Sequence, residues 1–177
     1  MKTMSACGFV GTSVVLWEGI TYMRGVTKTA LGAVATGVLV LAMSNPAAAA
    51  DESDTGVASS APTSGTCVTE IQGARACFKP DGDVIYAKDT SLDGWSVYAS
   101  WENQLRDSSG TWKTYRTGKC WNNRGEGDWV SCNKEFYENS TSPNALGGTG
   151  SRIILAACVD DLGDDTCYWG GPIYNSN

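Results

Sequence analysis

The chain has 177 residues, contains no histidine and carries a formal net charge of −6 at pH 7. Without histidine, this sequence cannot form a Ser-His-Asp triad, a Cys-His pair or a histidine-ligated zinc site. Its acidic balance argues against nucleic acid and anionic membrane surfaces as partners, because binding to phosphate groups requires Lys and Arg side chains.

The first 50 residues have the pattern of a leader for export. Residues 23–50 combine a basic start at Met23–Lys28, an apolar run at Ala30–Met43 and small residues up to Ala50, and so predict a secretory signal peptide cleaved after Ala50. The apolar run is shorter than the roughly 20 residues of a transmembrane helix, so we expect no membrane span. We interpret residues 1–22 as an upstream extension from a start codon placed too early, with a two-part leader as the alternative.

The segment that follows the signal is poor in residues that could be buried. Residues 51–66 consist mainly of Ser, Thr, Asp, Ala, Gly and Pro, and this composition predicts a flexible linker. We expect the structured domain at residues 67–177, a length that can enclose a core but benefits from covalent cross-links. The sequence therefore predicts one secreted, extracellular domain, which we expect to be a monomer.

Alternating apolar and polar residues predict strands in this domain. Val84–Ala87 is the first candidate. Trp95–Glu102 shows the clearest alternation, and every second side chain of this segment should point to the same side of a sheet. We expect one face of this strand to be buried, namely Trp95, Val97, Ala99 and Trp101.

The next segments predict a hairpin and two further strands. Thr111–Thr117 resumes the alternation after the turn-forming residues Asp107–Gly110, so it should pair with the preceding strand as a β-hairpin. Asp128–Phe136 is another candidate, and Arg152–Val159 is so apolar on both faces that we expect it inside a sheet. Together these patterns predict an all-β fold, a small antiparallel β-sandwich or barrel.

Six of the seven cysteines lie beyond residue 50, in three close pairs that each bracket a turn signal. Neighbouring residues on paired antiparallel strands come close enough for a disulfide. Excluding Cys7, which lies in the leader, makes the count even, as expected for an exported domain. We expect three local disulfides, although other connectivities remain open: Cys67 with Cys77, Cys120 with Cys132, and Cys158 with Cys167.

Aromatic side chains supply the candidate binding residues. Rings exposed on a rigid sheet can stack on sugar faces or anchor a protein partner, whereas buried rings only fill a core. Tyr98 and Tyr115 lie on strand faces that should point outward, and several tryptophans have no clear placement. We predict a non-catalytic binding protein for an unknown protein or carbohydrate, without cofactor, metal or catalytic residue, that binds through Tyr98, Trp112, Tyr115, Trp121 and Trp129.

Four alternatives use other features of the sequence. A cysteine-closed loop at Asn122–Ser131 could be inserted into an extracellular protease or glycosidase as an inhibitor, because rigid loops lose little entropy on docking. The acidic turn Asp160–Asp165 could bind calcium weakly. The cations Lys113, Arg116, Lys119 and Arg124 could form one basic spot on the acidic surface. A carboxylate-dependent glycoside hydrolase would need two of the acidic residues Glu102, Glu126, Asp128, Glu135 and Glu138.

Several segments resemble a family of small, secreted, disulfide-rich actinobacterial (Streptomyces-like) proteins. The similarity covers Ala76–Phe78, Asp93–Trp101, Arg116–Phe136 and Ala157–Asp161, and therefore nearly the whole domain. The resemblance implies export and an all-β fold. It supplies no catalytic residue that could be transferred to this chain.

Overall fold

The computed structural model describes residues 51–71 and 73–176, which form two β-sheets. The predicted upstream extension, the signal peptide and Cys7 lie outside the described residues. The strands of the described part are β1 (Asp51–Thr55), β2 (Val57–Ser59), β3 (Thr66–Ile71), β4 (Ala74–Lys79), β5 (Val84–Asp89), β6 (Ser96–Asp107), β7 (Trp112–Asn122), β8 (Trp129–Asn133), β9 (Gly147–Asp160) and β10 (Thr166–Tyr174).

The two sheets pack face to face as a β-sandwich. Sheet A has the strand order β1-β7-β6-β9-β10, and sheet B has the order β2-β8-β5-β4-β3. Neighbouring strands are antiparallel except for β1, which pairs with β7 in parallel. The predicted all-β fold is confirmed, and the structure selects the sandwich over the barrel. No helix in the described part of the chain is long and apolar enough to cross a membrane.

The predicted hairpin is present as β6 and β7, and the side chain of Asp107 organises its turn. The carboxylate oxygen Oδ1 of Asp107 accepts hydrogen bonds from the backbone N–H groups of Ser109 and Thr111, each at 2.9 Å. Gly110 adopts a φ of 85°, which is readily accessible to glycine but rarely to other residues. The hydrogen bond from the Ser109 hydroxyl contributes most to lowering the pKa of Asp107.

The core lies between the sheets. Val97, Ala99 and Trp101 of β6 are buried, as predicted from their alternation. Trp101 packs edge-on against Phe136, with 5.1 Å between the ring centroids. Strand β9 lies inside sheet A, between β6 and β10, as its apolar composition predicts.

Trp95 does not belong to this core, which corrects the prediction made from the alternation. It precedes the first residue of β6, and its backbone N–H group binds the Asp93 carboxylate at 2.9 Å in the preceding turn. Its side chain is 37% exposed. The alternating pattern therefore extends one residue beyond the strand that it describes.

The three predicted disulfides are present, but they are not all hairpin links. In two of them the cysteines are cross-strand partners within one sheet, Cys67 with Cys77 and Cys158 with Cys167. Cys120 and Cys132 instead join β7 of sheet A to β8 of sheet B through the core. Disulfides of this kind persist in oxidising environments.

A flexible linker is predicted at residues 51–66. In the structure, residues 51–59 instead contain the strands β1 and β2. Gly56 lies between the two strands, where the chain passes from sheet A to sheet B and its N–H group binds the Trp121 carbonyl oxygen at 2.9 Å. Backbone ladders hold both strands, and ion pairs of Glu52 and Asp54 hold β1 as well. Composition alone could not indicate that these ladders form.

Candidate functional site

The outer face of sheet A can be identified from the two environments that β9 presents. Ile153, Leu155 and Ala157 belong to the core between the sheets, so the residues that alternate with them point outward. Ala156 and Cys158 accordingly pack in a separate cluster outside the core. Strand register then places the neighbours of these residues on the same outer face.

A bulge in β10 places two exposed aromatic residues on this outer face. Trp169 is the cross-strand partner of Ala156, and Tyr174 is the partner of Arg152, although five positions separate the two aromatic residues. Strict alternation would direct them to opposite faces, but the register shifts by one residue between Trp169 and Pro172. Trp169 is 50% exposed and Tyr174 is 49% exposed.

A chain of hydrogen-bonded polar side chains crosses the same face. The guanidinium Nε of Arg152 donates to Gln104 Oε1 at 2.7 Å, and Gln104 Nε2 donates to Glu102 Oε1 at 2.6 Å. The Thr114 hydroxyl also donates to Glu102. These bonds fix an amide, a carboxylate and a guanidinium beside the aromatic rings.

Trp112 completes this arrangement at one end of the sheet. The guanidinium carbon of Arg152 lies 4.3 Å from the centroid of its ring, and that of Arg106 lies at 5.3 Å. The ring of Tyr174 is 6.1 Å away. Cation–π attraction holds the two arginines against Trp112. We call the group of Glu102, Gln104, Trp112, Arg152, Trp169 and Tyr174 the aromatic face of sheet A.

Tyr98 points outward from the same sheet, as predicted, but it is covered. Its side chain is only 3% exposed, and its ring centroid lies 4.5 Å from that of Trp121. Its hydroxyl group donates to Asp165. Burial, with the Asp165 carboxylate as a further cause, raises the pKa of Tyr98 far above its usual range. Tyr98 therefore packs against Trp121 and is covered, so it is not accessible to a ligand.

The remaining predicted binding residues do not form a common surface. Trp121 lies over Tyr98, and its indole N–H group donates to Ser53 of β1 at 3.0 Å. Tyr115 occupies a bulge in β7 and contacts Tyr137, with 5.9 Å between their ring centroids. Trp129 lies on β8 of sheet B, whereas Trp112 lies on β7 of sheet A. The predicted set is thus divided between the two sheets.

Trp129 has its own surroundings on the outer face of sheet B. Its ring lies edge-on to Tyr86, with 6.4 Å between the centroids. Arg75 and Lys88 place their cationic groups 5.9 Å from its centroid. This group offers a comparison surface of similar chemistry on the opposite sheet.

The predicted basic spot is divided, because three of its four members are paired with acids in different places. Arg116 lies 3.1 Å from Glu52, and Lys119 lies 3.5 Å from Asp165. Arg124 forms a further pair at 3.3 Å, with Asp128. Three of the four predicted cations therefore each have a carboxylate neighbour instead of contributing to one positive surface.

The loop between β7 and β8 is held firmly at its base. The buried side chain of Asn122 donates to the carbonyl oxygens of Ala87 and Asp128, at 3.3 and 2.8 Å, and accepts from the N–H group of Arg124 at 3.0 Å. A cleft of about 290 Å³ separates this loop from the turn that contains Trp95. The predicted inhibitory loop is thus well ordered at its root.

The acidic residues do not assemble a metal site in the part of the chain that the structure describes, where no group of three or more potential ligands is found. Within the acidic turn, Asp165 interacts with Tyr98 and Lys119, and Asp161 accepts a hydrogen bond from the Thr166 hydroxyl at 3.2 Å. The turn is therefore organised by protein groups.

The chain matches no protein-family model, no curated protein and no solved structure. The sequence predicts Trp112 as a binding residue but not Trp169 and Tyr174, because the bulge that brings these two together has no clear sequence signal beyond the glycine pair at 170 and 171.

Proposed function

We propose that this protein is a secreted, non-catalytic binding protein that binds polysaccharide as a monomer through the aromatic face of sheet A. The observation that carries the proposal is the position of Trp169 and Tyr174 on one outer face, beside the hydrogen-bonded chain of Arg152, Gln104 and Glu102. A pyranose ring has an apolar face of C–H groups and a rim of hydroxyl groups. Aromatic rings match the first, and fixed polar side chains match the second.

The rigidity of the face supports this proposal. Its residues lie on strands β6, β7, β9 and β10, and the polar groups are held by hydrogen bonds before any ligand arrives. A preformed surface loses less conformational entropy on binding than a mobile loop does. The three disulfides favour an oxidising location, which supports action outside the cell.

Sedimentation with insoluble cellulose, chitin and xylan tests the proposal. We expect the protein to be retained by at least one of these polymers. Trp169→Ala and Tyr174→Ala should each weaken binding by about tenfold or more, equivalent to about 1.4 kcal/mol. Trp129→Ala on the outer face of sheet B is the matched control and should bind normally. Absence of retention, or equal losses in the control, would refute binding through this face.

A second candidate is inhibition of an extracellular hydrolase by the loop between β7 and β8. The buried Asn122 side chain, which fixes the root of this loop, is the observation that favours it. Inhibition assays with secreted proteases and glycosidases test this function. Asn122→Ala should weaken inhibition by loosening the loop, whereas Trp169→Ala should not change it.

A further inference from the structure

Strand β1 places two carboxylates at the open edge between the sheets, where the side chain of Glu52 is 30% exposed and that of Asp54 is 48% exposed. Glu52 is the register partner of Gly118, and Asp54 is the partner of Cys120, which belongs to the core. The residues that alternate with them, such as Ser53, face outward and contact Trp121. Both carboxylates therefore lie at the open edge of the sandwich and point inward.

Lys134 reaches these carboxylates from the other sheet. It follows directly after β8 of sheet B, and its side chain is only 5% exposed. Its amine Nζ directly contacts Asp54 Oδ2 and lies 3.1 Å from Glu52 Oε2. The same amine lies 5.0 Å from the centroid of the buried Trp101 ring. An amine and a carboxyl group are thus held in contact between the sheets, with a second carboxylate beside them.

The two carboxylates have different surroundings. Glu52 also accepts from Arg116 Nη1 at 3.1 Å, so two cations surround it. The Arg116 guanidinium also lies 5.2 Å from the centroid of the Phe136 ring. In the described part of the chain, Asp54 forms an ion pair with Lys134 alone. Two cations therefore lie next to Glu52, whereas Asp54 contacts the Lys134 amine.

We propose that Lys134 and Asp54 form an intramolecular amide bond. Lys134 first transfers one proton to the Asp54 carboxylate, which gives a neutral amine and a carboxylic acid. The amine nitrogen then attacks Cγ of Asp54, and a C–N bond forms. Glu52 accepts the second proton from the nitrogen and delivers it to the Asp54 hydroxyl group, which leaves as water when its C–O bond breaks. Atoms and charges balance without an oxidant or co-reactant.

Proximity and burial favour this reaction. Holding two reacting groups in contact can correspond to effective concentrations of about 10⁵ M or more, which offsets the unfavourable condensation of an acid and an amine in water. Forming the amide also removes two opposite charges from a partly buried site, where desolvating a charged group costs free energy. The rings of Trp101 and Phe136 limit the access of water on the core side.

The proposed bond has a structural role. Strand β1 has five residues and lies at the edge of sheet A, where it pairs only with β7. An amide from Asp54 to Lys134 would attach this strand covalently to sheet B. Because the linked residues are far apart in sequence, the bond would restrict the unfolded chain more than any of the three local disulfides.

Mass spectrometry of the folded full chain, reduced before measurement, tests the proposal directly. We expect a mass lower than the sequence mass, after any leader cleavage, by one water molecule. Trypsin should fail to cut after Lys134, and the peptide 125–152 should appear linked to the peptide that ends at Arg75. Full mass in the folded protein would overturn the proposal. So would loss of water without the linked pair, since an aspartate succinimide loses water in the same amount.

Three variants assign the roles. Asp54→Ala and Lys134→Arg should have full mass, and the arginine variant retains a cation for both carboxylates, so folding can be checked by circular dichroism. Glu52→Gln keeps both reacting groups but removes the proton carrier, and its linked fraction should fall at least tenfold. Asp51→Asn, on the outward side of the same strand, is the control and should be linked fully. Normal linkage in Glu52→Gln would assign the proton transfer elsewhere and overturn the role of Glu52.

Discussion

The hydroxyl group of Tyr98 donates a 2.5 Å hydrogen bond to the carboxylate of Asp165, which ties the middle strand of sheet A to the acidic turn before β10. Lys119 strengthens this link, because its amine lies 3.5 Å from the same carboxylate and 4.3 Å from the centroid of the tyrosine ring. The acidic turn, considered for calcium binding from the sequence, is thereby anchored to the sheet by a phenol and an ammonium group.

Removing the phenol hydroxyl should destabilise the protein. Tyr98→Phe deletes the donor to Asp165, and the partly exposed carboxylate regains water in compensation. We expect the free energy of unfolding to fall by about 1–2 kcal/mol, the usual range for a hydrogen bond to a charged acceptor that is only partly desolvated. Urea denaturation measures the change. Tyr174→Phe on the exposed edge should change stability by less than about 0.5 kcal/mol. Equal losses of stability in Tyr98→Phe and Tyr174→Phe would contradict a stabilising role for the Tyr98 hydrogen bond.

The same tyrosine should make stability decrease at alkaline pH. Burial raises the pKa of Tyr98 above its ordinary value of 10.0, so the folded protein keeps a proton that the unfolded chain releases above about pH 10. Fewer protons are then bound in the unfolded state, and the free energy of unfolding falls as pH rises, by at most about 1.4 kcal/mol per pH unit. Denaturation across this range measures the slope. The slope should be smaller in Tyr98→Phe; an unchanged slope would contradict the assignment.

The lowered pKa of Asp165 predicts a loss of stability at acidic pH. The hydrogen bond from Tyr98 is the main cause that lowers the pKa of Asp165 below its ordinary value of 3.8. Its contribution to stability is therefore present above about pH 4 and is lost as pH falls through the lower value in the folded state. Comparing the acid unfolding of the wild type with that of Asp165→Asn measures this contribution. The asparagine variant should lose less stability between about pH 4 and pH 2.

The central hairpin could be predicted from sequence, whereas the sheet edges could not. Val97, Ala99 and Trp101 are buried on one side of β6, so the period of two is unbroken there. Strand β1 carries charged residues on its inward side, and nothing in its composition indicates that Lys134 will neutralise them. An edge strand held by ion pairs therefore has the composition of a linker.

The candidate site depends on register shifts that alternation cannot predict. Two aromatic residues, Trp169 and Tyr174, share a face only because β10 gains one residue between them. A second shift in β7 places Arg116 opposite Asn103 and Thr114 opposite Gln104, and so separates residues that alternation would group together. Bulges of this kind reorient side chains without a distinctive residue type. The binding residues chosen from sequence were consequently divided between two sheets.

The disulfide that crosses the core should be the most costly to remove. The three bridges close loops of similar length, with sequence separations of 9 to 12, so the chain-entropy model assigns each about 3 kcal/mol. Replacing Cys120 and Cys132 by alanine also leaves space between the sheets, which should cost about 1–2 kcal/mol more. Denaturant unfolding compares this variant with the Cys158→Ala/Cys167→Ala variant. An equal loss would show that the core position adds nothing.

Replacing Gly118 should strongly destabilise the protein, because β1 and the core lie close to this residue on two sides. A Cβ atom at this position would overlap the carbonyl oxygen of Glu52 in β1 and the indole ring of Trp101. Gly118→Ala must therefore displace the edge strand or the buried ring, and we expect a loss of about 3 kcal/mol or more, the upper range for overpacking. Gly163→Ala is the matched control, since nothing lies within 4 Å of its added Cβ. Urea denaturation should separate the two variants, and hydrogen exchange at Glu52 and Ser53 should rise only in Gly118→Ala, because the displaced strand loses its backbone pairing with β7.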